Sequence, residues 1–350
     1  MNVIRIARDR ALPVLLLFVL ILAVVACTPA ATTNPPAAEP TIAVEPTAAS
    51  EEAPATTTDE TAAEDASGET RHVTDAAGNE LDIPANPQRV VVLSERDMDA
   101  AFALGFPVVG VVNGRGAETP PAYLQPYLGD AVSVGAFSAP SPEAILNLDP
   151  DLILIGGLFP ELEAQLPAFN EIAPVYVTFQ SGADWRTSFM GAADALNRTA
   201  DAEAWLADYD ARAAALAAAL PAGAPISIVR FNPDGPVIMS PNSFASTITS
   251  SLGLTRPEAH MSIEGAGHGD TISKEAIAAI NADHIFMGAL NPDGTAVLEA
   301  AQADPLYAAL SAFQNGEVSV VDGAVWTSLG GPLAAQTILD DVAAAFGVSE

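Results

Sequence analysis

Apolar positions in this chain alternate between helical stripes and short continuous runs. The clearest junction of the two is Ser141–Gly157, SPEAILNLDPDLILIGG. Ser141 can accept from the first free backbone N–H groups of a helix, and Pro142 suits its first position. Ala144, Ile145 and Leu148 form the stripe, and Asp149-Pro150 ends it. Leu152–Ile155 is an unbroken apolar run closed by Gly156-Gly157, the pattern of a parallel strand covered on both faces. The unit returns 132 residues later, without gaps, as Ser273–Ala289, SKEAIAAINADHIFMGA. Two copies so far apart predict two α/β lobes of similar build, not a solenoid.

Reading outward fills in the lobes. Val73–Pro87 predicts a hairpin turning at Gly78-Asn79. Strands are predicted over Arg89–Leu93, Val108–Val112, Ala131–Val134, Leu152–Ile155 and Pro174–Phe179. Helices are predicted over Asp97–Leu104, Pro121–Leu128 and Pro160–Ile172. Strands alternating with helices give a mostly parallel sheet, whose ligands gather beyond the carboxyl ends of the strands. That rule nominates Ser94–Arg96, Asn113–Arg115, Ala136–Phe137, Gly156–Phe159 and Gln180–Ser181.

Asp184 is a cap for a helix starting at Trp185, and Ala200–Leu220 is alanine-rich, with no Gly or Pro before Pro221. Such a helix reaches about 32 Å, enough for a rigid strut between lobes. Trp185 and Trp205 read as packing residues on these helices. Beyond the strut, strands are predicted over Pro225–Phe231, Val237–Met239 and Val318–Val321, and helices over Ser243–Leu252, Pro305–Phe313 and Pro332–Phe346. Glu264–Asp270 reads as a glycine-rich loop, and Trp326 falls in the loop after the last strand. The fold class is α/β, with a first lobe over 71–183, bridging helices over 184–220 and a second lobe over 221–350.

The first 70 residues follow another logic. Arg5, Arg8 and Arg10 precede an apolar run, Ala11–Ala26, too short for a comfortable membrane span, which ends VVAC. Basic, apolar and then small residues read as a signal peptide, residues 1–26. Cys27 is the only cysteine, so an intramolecular disulfide is impossible. Its position resembles a bacterial lipobox, in which Cys27 carries the lipid; an ordinary signal peptide and an uncleaved anchor are the alternatives. Thr28–Thr70 is rich in Ala, Thr, Pro and Glu without an apolar face, a tether with a mean span of roughly 35–40 Å.

Charge narrows the function classes. The chain carries 44 Asp+Glu against 13 Lys+Arg, formally −31, and Lys274 is its one lysine. That balance argues against nucleic acid and against adsorption to an anionic membrane. No phosphate-cradling loop, nucleophile elbow or HExxH helix is present, so an enzyme is unsupported. The four histidines show no metal-ligand spacing; His284 reads as a core residue, and His268 as the one facing a ligand loop.

VTDAAGNELDIPANPQRVVVL, ALGFPVVGV, SPEAILNLDPDLILI, IAPVYV, IVRF, SLGL and GGPLAAQTILDD, in this order over about residues 71–347, resemble the iron–siderophore class of ABC-transporter substrate-binding lipoproteins, related to vitamin B12 and haem binders. The resemblance implies two lobes joined by one long helix, a ligand cleft between them, delivery to a membrane permease with its ATPase, and no chemistry on the ligand. It implies a monomer held on the extracytoplasmic face of the cell membrane. It places the permease-docking acids on Glu143 and Glu275, at matching positions of the two repeat units, where a helix dipole also favours a carboxylate. It implies arginines and aromatics facing an anionic ferric chelate: Arg230, Arg96, Arg115 and Trp326, with Phe137, Phe159 and His268 behind them. No cofactor or protein-bound metal is expected. Haem or cobalamin remains an alternative ligand, haem with His268 or Tyr123 as axial ligand. A stalked secreted enzyme or an adhesive domain is the reading from another class.

Overall fold

The structure is a computed structural model of the 350-residue chain and describes residues 68–348. The signal segment, Cys27 and the tether as far as residue 67 lie outside the described residues.

The chain enters through an antiparallel hairpin, β1 (Thr70–Thr74) and β2 (Glu80–Pro84), with Gly78 at φ +84° in its turn. β3 (Val90–Val92) leads into α1 (Glu95–Ala103), whose cap Ser94 accepts from the Asp97 N–H at 3.0 Å. Then follow β4 (Gly110–Asn113), a 3-10 turn over Ala122–Tyr127, β5 (Val132–Ala136) and the two-residue β6 (Ala139–Pro140). The first repeat unit forms α2 (Pro142–Leu146) and β7 (Leu152–Ile155); Ser141 caps α2 by accepting from Ala144 N–H at 3.2 Å. α3 (Pro160–Glu163), α4 (Leu166–Asn170) and β8 (Val175–Val177) complete the lobe. Its sheet runs β6-β5-β4-β3-β7-β8, parallel except for β6. Every residue of β3, β7 and β8 is buried, as expected for strands covered on both faces.

Asp184 caps α5 (Trp185–Ala195) by accepting from the N–H groups of Arg186 and Thr187 at 2.9 and 3.0 Å. The long α6 spans Thr199–Ala219, 21 residues. Its buried side chains, Ala202, Tyr209 and Leu216, recur every seventh position and form one stripe. Trp185 meets Trp205 edge-on at 6.2 Å, and Trp205 stacks on Tyr209 at 5.5 Å, so the two tryptophans pack helix against helix.

The second lobe holds β9 (Ile226–Asn232), β10 (Gly235–Met239), α7 (Phe244–Ser251), β11 (His268–Thr271), a 3-10 stretch Lys274–Ile280 and β12 (His284–Ala289). Then come α8 (Pro292–Gln302), α9 (Pro305–Ala308), α10 (Ser311–Asn315), β13 (Val318–Val320), α11 (Gly323–Thr327) and α12 (Pro332–Ala345). The sheet order is β11-β10-β9-β12-β13, with β9, β12 and β13 parallel. Alternate β9 residues point to opposite faces: Ile226 and Ile228 to one core cluster, Val229 and Phe231 to the other.

The two repeat units hold equivalent places, β7 inside β3-β7-β8 and β12 inside β9-β12-β13. In each sheet the chain first moves one way from its central strand and then returns past it. The resulting switch points lie between β3 and β7 and between β9 and β12, where α/β sheets open crevices for ligands.

Several expectations are corrected. The single helix over Pro160–Ile172 is two, because Pro167, at the start of α4, lacks the N–H that a continuous helix needs. Pro305–Phe313 likewise divides, with Leu310 extended at ψ 142° between α9 and α10. The glycine-rich loop closes as strand β11, α8 was not foreseen, and the loop assigned to Trp326 is helix α11.

Candidate ligand cleft

A cavity of about 520 Å³ lies between the lobes. Glu95, Arg115 and Pro121 line it from the first lobe; Asn291, Thr295 and Asp322 from the second. A smaller hollow of about 50 Å³ continues along the first lobe past Arg96, Phe137, Gly156 and Phe159, with Leu329 of the second lobe at its edge. Glu95 and Arg115 belong to both, so the two spaces meet there. A larger hollow, about 700 Å³, sits on the second lobe between the β9–β10 turn and α8. It carries Lys274 but no arginine and lies off both switch points; the interlobe cavity is the better ligand site.

The strand-end rule works here because β3, β4, β5 and β7 all finish at the cleft. Arg115, exposed after β4, lays its guanidinium over Phe137 with 4.5 Å from Cζ to the ring centroid. Phe137 meets Phe159 edge-on at 6.2 Å, forming an aromatic wall. Arg96 is buried: its Nη1 donates to the Ala183 carbonyl and to Ser188 Oγ, both at 2.9 Å, and its Cζ lies 5.0 Å from the Phe179 ring. Half of its guanidinium is therefore used to hold the start of the bridge. Gly156 makes room for Phe179, since a Cβ there would stand 2.2 Å from the ring.

Arg230, near the end of β9, is half-buried and donates through Nη1 to the Thr327 carbonyl at 3.3 Å. Its guanidinium is held below its usual pKa, first by burial and second by the like charge of Arg115 on the other lobe. Arg71, Arg186, Arg198 and Arg212 each pair with an aspartate. Among the described residues no carboxylate forms an ion pair with Arg96, Arg115 or Arg230. Arg115 and Arg230 are thus like charges close enough to feel each other from opposite lobes, Arg115 lining the cavity together with the carboxylates of Glu95, Glu299 and Asp322. That arrangement is unfavourable when empty and favourable around an anion.

Two expected site residues are not brought to the cleft. Trp326 is fully buried: α11, capped by Asp322 on the Ala324 N–H at 2.8 Å, turns the indole inward. There it stacks on Phe286 at 4.2 Å and donates Nε1–H to Asp341 at 2.7 Å. His268 is exposed at the start of edge strand β11, paired with Met239, and its Nδ1 lies 2.7 Å from the Gly269 carbonyl. Tyr123 gives its hydroxyl to Asp99 at 2.9 Å, so neither residue is presented as an axial ligand. His284 is a core residue, Nε2 2.9 Å from Ser319 Oγ. Side-chain chemistry did not single out Glu95, Phe179 and Leu329, nor Asn291, Thr295 and Asp322 from the second lobe. Glu95 sat inside a nominated strand end, and only its place at the meeting of the two spaces marks it.

Glu143 and Glu275 are both exposed, one residue past the first position of their repeat-unit turns. Hydrogen bonds from its own N–H and from Ser273 hold the Glu275 carboxyl below its usual pKa. Among the described residues no three His, Cys, Asp or Glu side chains stand together as a metal-ligand set.

Comparison with known proteins agrees with this geometry. The family model described as periplasmic binding protein matches residues 90–325. The probable siderophore-binding lipoprotein YfiY of Bacillus subtilis is 32% identical over 287 residues, covering 79% of this chain and 88% of the relative. The achromobactin-binding periplasmic protein of Dickeya dadantii is 30% identical, covering 75% and 88%. The crystal structure of Staphylococcus aureus SirA complexed with staphyloferrin B superposes with a TM-score of 0.67 at 26% identity, over 80% of this chain and 99% of that one. The first two are named as binding proteins, one a lipoprotein and the other periplasmic. Fold, repeat units and comparisons converge: the chain belongs to the periplasmic binding protein family, in its siderophore-type class of ABC-importer substrate-binding proteins.

Proposed function

We propose that this protein captures an anionic ferric siderophore between its lobes and delivers it, chemically unchanged, to an ABC permease. The observation that carries the reading is the pair Arg115 and Arg230, set on opposite lobes without a carboxylate partner in an otherwise acidic chain. The chelator surrounds the iron, and the protein grips its periphery. Arg115 and Arg230 supply charge and forked hydrogen bonds, and Phe137 and Phe159 cover an apolar edge of the chelate. Arg96 supports this wall from behind. The names of the relatives, which refer to siderophores, achromobactin and staphyloferrin B, support this ligand class over haem or cobalamin.

In the same reading the 71–183 and 221–350 segments are the two ligand-binding lobes and 184–220 the bridge. Residues 1–26 are removed, Cys27 carries the lipid, and the tether holds a monomeric body above the outer face of the cell membrane. Glu143 and Glu275, at equivalent places on the two lobes, dock to basic residues of the permease and its ATPase-driven assembly.

Titration of the purified protein with ferric citrate, a ferric triscatecholate, haem and cobalamin, followed by tryptophan fluorescence, tests the ligand class. Saturable quenching by a ferric chelate alone supports the proposal; saturation by haem or cobalamin alone would replace it.

A further inference from the structure

A short segment of the second lobe, Thr327–Gly331 between α11 and α12, is hydrogen-bonded to the first lobe. Each of its contacts is specific. The Thr327 carbonyl accepts from Arg230 Nη1 at 3.3 Å. Ser328 Oγ donates to Glu95 Oε2 at 3.0 Å, while Glu95 Oε1 accepts from the Arg115 backbone N–H. The Gly331 N–H donates to Asp99 Oδ2 at 3.2 Å. The next turn adds Leu333 N–H to Oδ1 at 2.6 Å and Ala334 N–H to Oδ2 at 3.1 Å.

Asp99 thus caps α12 from another lobe, more than 230 positions away in sequence. α12 has no cap of its own, since its Ncap is Gly331. A carboxylate that accepts three N–H groups at a helix start satisfies donors that would otherwise be orphaned and meets the positive end of the dipole. Tyr123 supplies a fourth bond at 2.9 Å. The approach is close enough to require glycine: a Cβ on Gly331 would lie 2.9 Å from both Cβ and Cγ of Asp99. Glu95 and Asp99 are four residues apart on α1 and so share a face, and that face holds the segment at both ends.

Asp99 is completely buried, so it does not reach a ligand. What it controls is the place of Thr327, and through its carbonyl the Arg230 guanidinium. Glu95 ties the Arg115 loop to the same segment. We propose that Asp99 is a positioning residue for ligand binding: from the first lobe it anchors the Thr327–Gly331 segment of the second, presetting the distance between Arg115 and Arg230. The bridging helix joins the lobes; this anchor fixes the gap the ligand meets. The proposal rests on the function given above for its ligand and on the hydrogen bonds alone for its geometry.

Two variants test it in the full chain. Asp99→Asn removes the charge that the three N–H groups share, and Gly331→Ala pushes the segment off the unaltered carboxylate. Both are compared with the wild type by hydrogen exchange of the 327–334 peptide and by stopped-flow binding of ferric citrate and a ferric triscatecholate. The expected result is faster exchange in 327–334 with α6 unchanged, and at least about 10-fold weaker chelate binding through faster dissociation. The double variant should be no weaker than the worse single one, because both break one contact. Unchanged exchange in 327–334, or faster exchange with full affinity, overturns the proposal. If only one variant folds, that one decides. A wild-type chain that binds none of the chelates would overturn the function proposed above; the exchange comparison still decides the anchor.

Discussion

The chain carries 44 acidic side chains against 13 basic ones, and among the described residues Arg71, Arg186, Arg198 and Arg212 pair with an aspartate while Arg89, Arg96, Arg115, Arg230 and Arg256 do not. Arg115 is exposed and Arg230 half-buried, and a half-buried cation without a carboxylate partner gains most when an anion arrives. Arg230→Ala should therefore weaken binding of an anionic ferric chelate by about 1.5–3 kcal/mol, measured by calorimetry at fixed salt. Arg230→Lys should recover part of that but not all, since an ammonium lacks the guanidinium fork. Loss equal to that of Arg230→Ala on a neutral chelate as well would mean that the charge is not what matters. A second buried group makes a pH prediction. Asp97 is fully buried, and burial raises its carboxyl to about 6, although Ser94 and Thr178 donate to it. A carboxyl raised on folding favours the fold while protonated, so its contribution is fully present below its unfolded pKa and is lost as pH rises through about 6. The stability of Asp97→Asn relative to wild type should accordingly increase between about pH 4 and pH 6 in urea unfolding. A difference that stays constant over that window would contradict the burial argument.

Most of the elements were legible in the sequence because local signals agreed with the tertiary fold. The two repeat units have serine at the cap, a helical turn and a buried run, and both land at the same place in their sheets. What misled was punctuation in short helices. Pro167 breaks one expected helix, and α8 hides its start behind Asn291-Pro292-Asp293-Gly294. Gly294 reads as a turn, yet it is needed for close packing, since a Cβ would stand 2.4 Å from the Phe231 carbonyl. Trp326 shows the same limit at the site. An aromatic after a strand end is a fair ligand candidate, but whether it faces out depends on the single helical turn that follows, and α11 turns it in. Trp326→Ala should thus cost about 3–5 kcal/mol of stability, read by denaturant unfolding, and leave the dissociation constant of any folded protein unchanged. A weakened ligand with unaltered stability would return Trp326 to the cleft. The Asp99 anchor was not legible at all: nothing in the sequence joins an aspartate on α1 to the start of α12.

Across the whole fold, the residues proposed for binding and those proposed for docking occupy different elements. Arg115 follows β4 and Arg230 lies near the end of β9, while Glu143 and Glu275 are exposed on the matching first turns of the repeat units. Glu143→Ala combined with Glu275→Ala should abolish uptake of radiolabelled iron by cells and leave affinity in solution intact. Loss of affinity would instead place these residues in the ligand site. Among the residues that line the two connected cavities, Arg96 and Arg115 are the positive ones, in a chain of 44 Asp+Glu against 13 Lys+Arg.

An anionic iron chelate held between Arg115 and Arg230 would carry its own marker, the iron. Crystals grown with the tightest-binding ferric chelate, measured at the iron absorption edge, would locate the metal directly by its anomalous signal. A single iron peak is expected in the interlobe cavity, with the chelate's oxygens toward both guanidinium groups. A peak in the second-lobe hollow beside Lys274, or elsewhere on the surface, would contradict it.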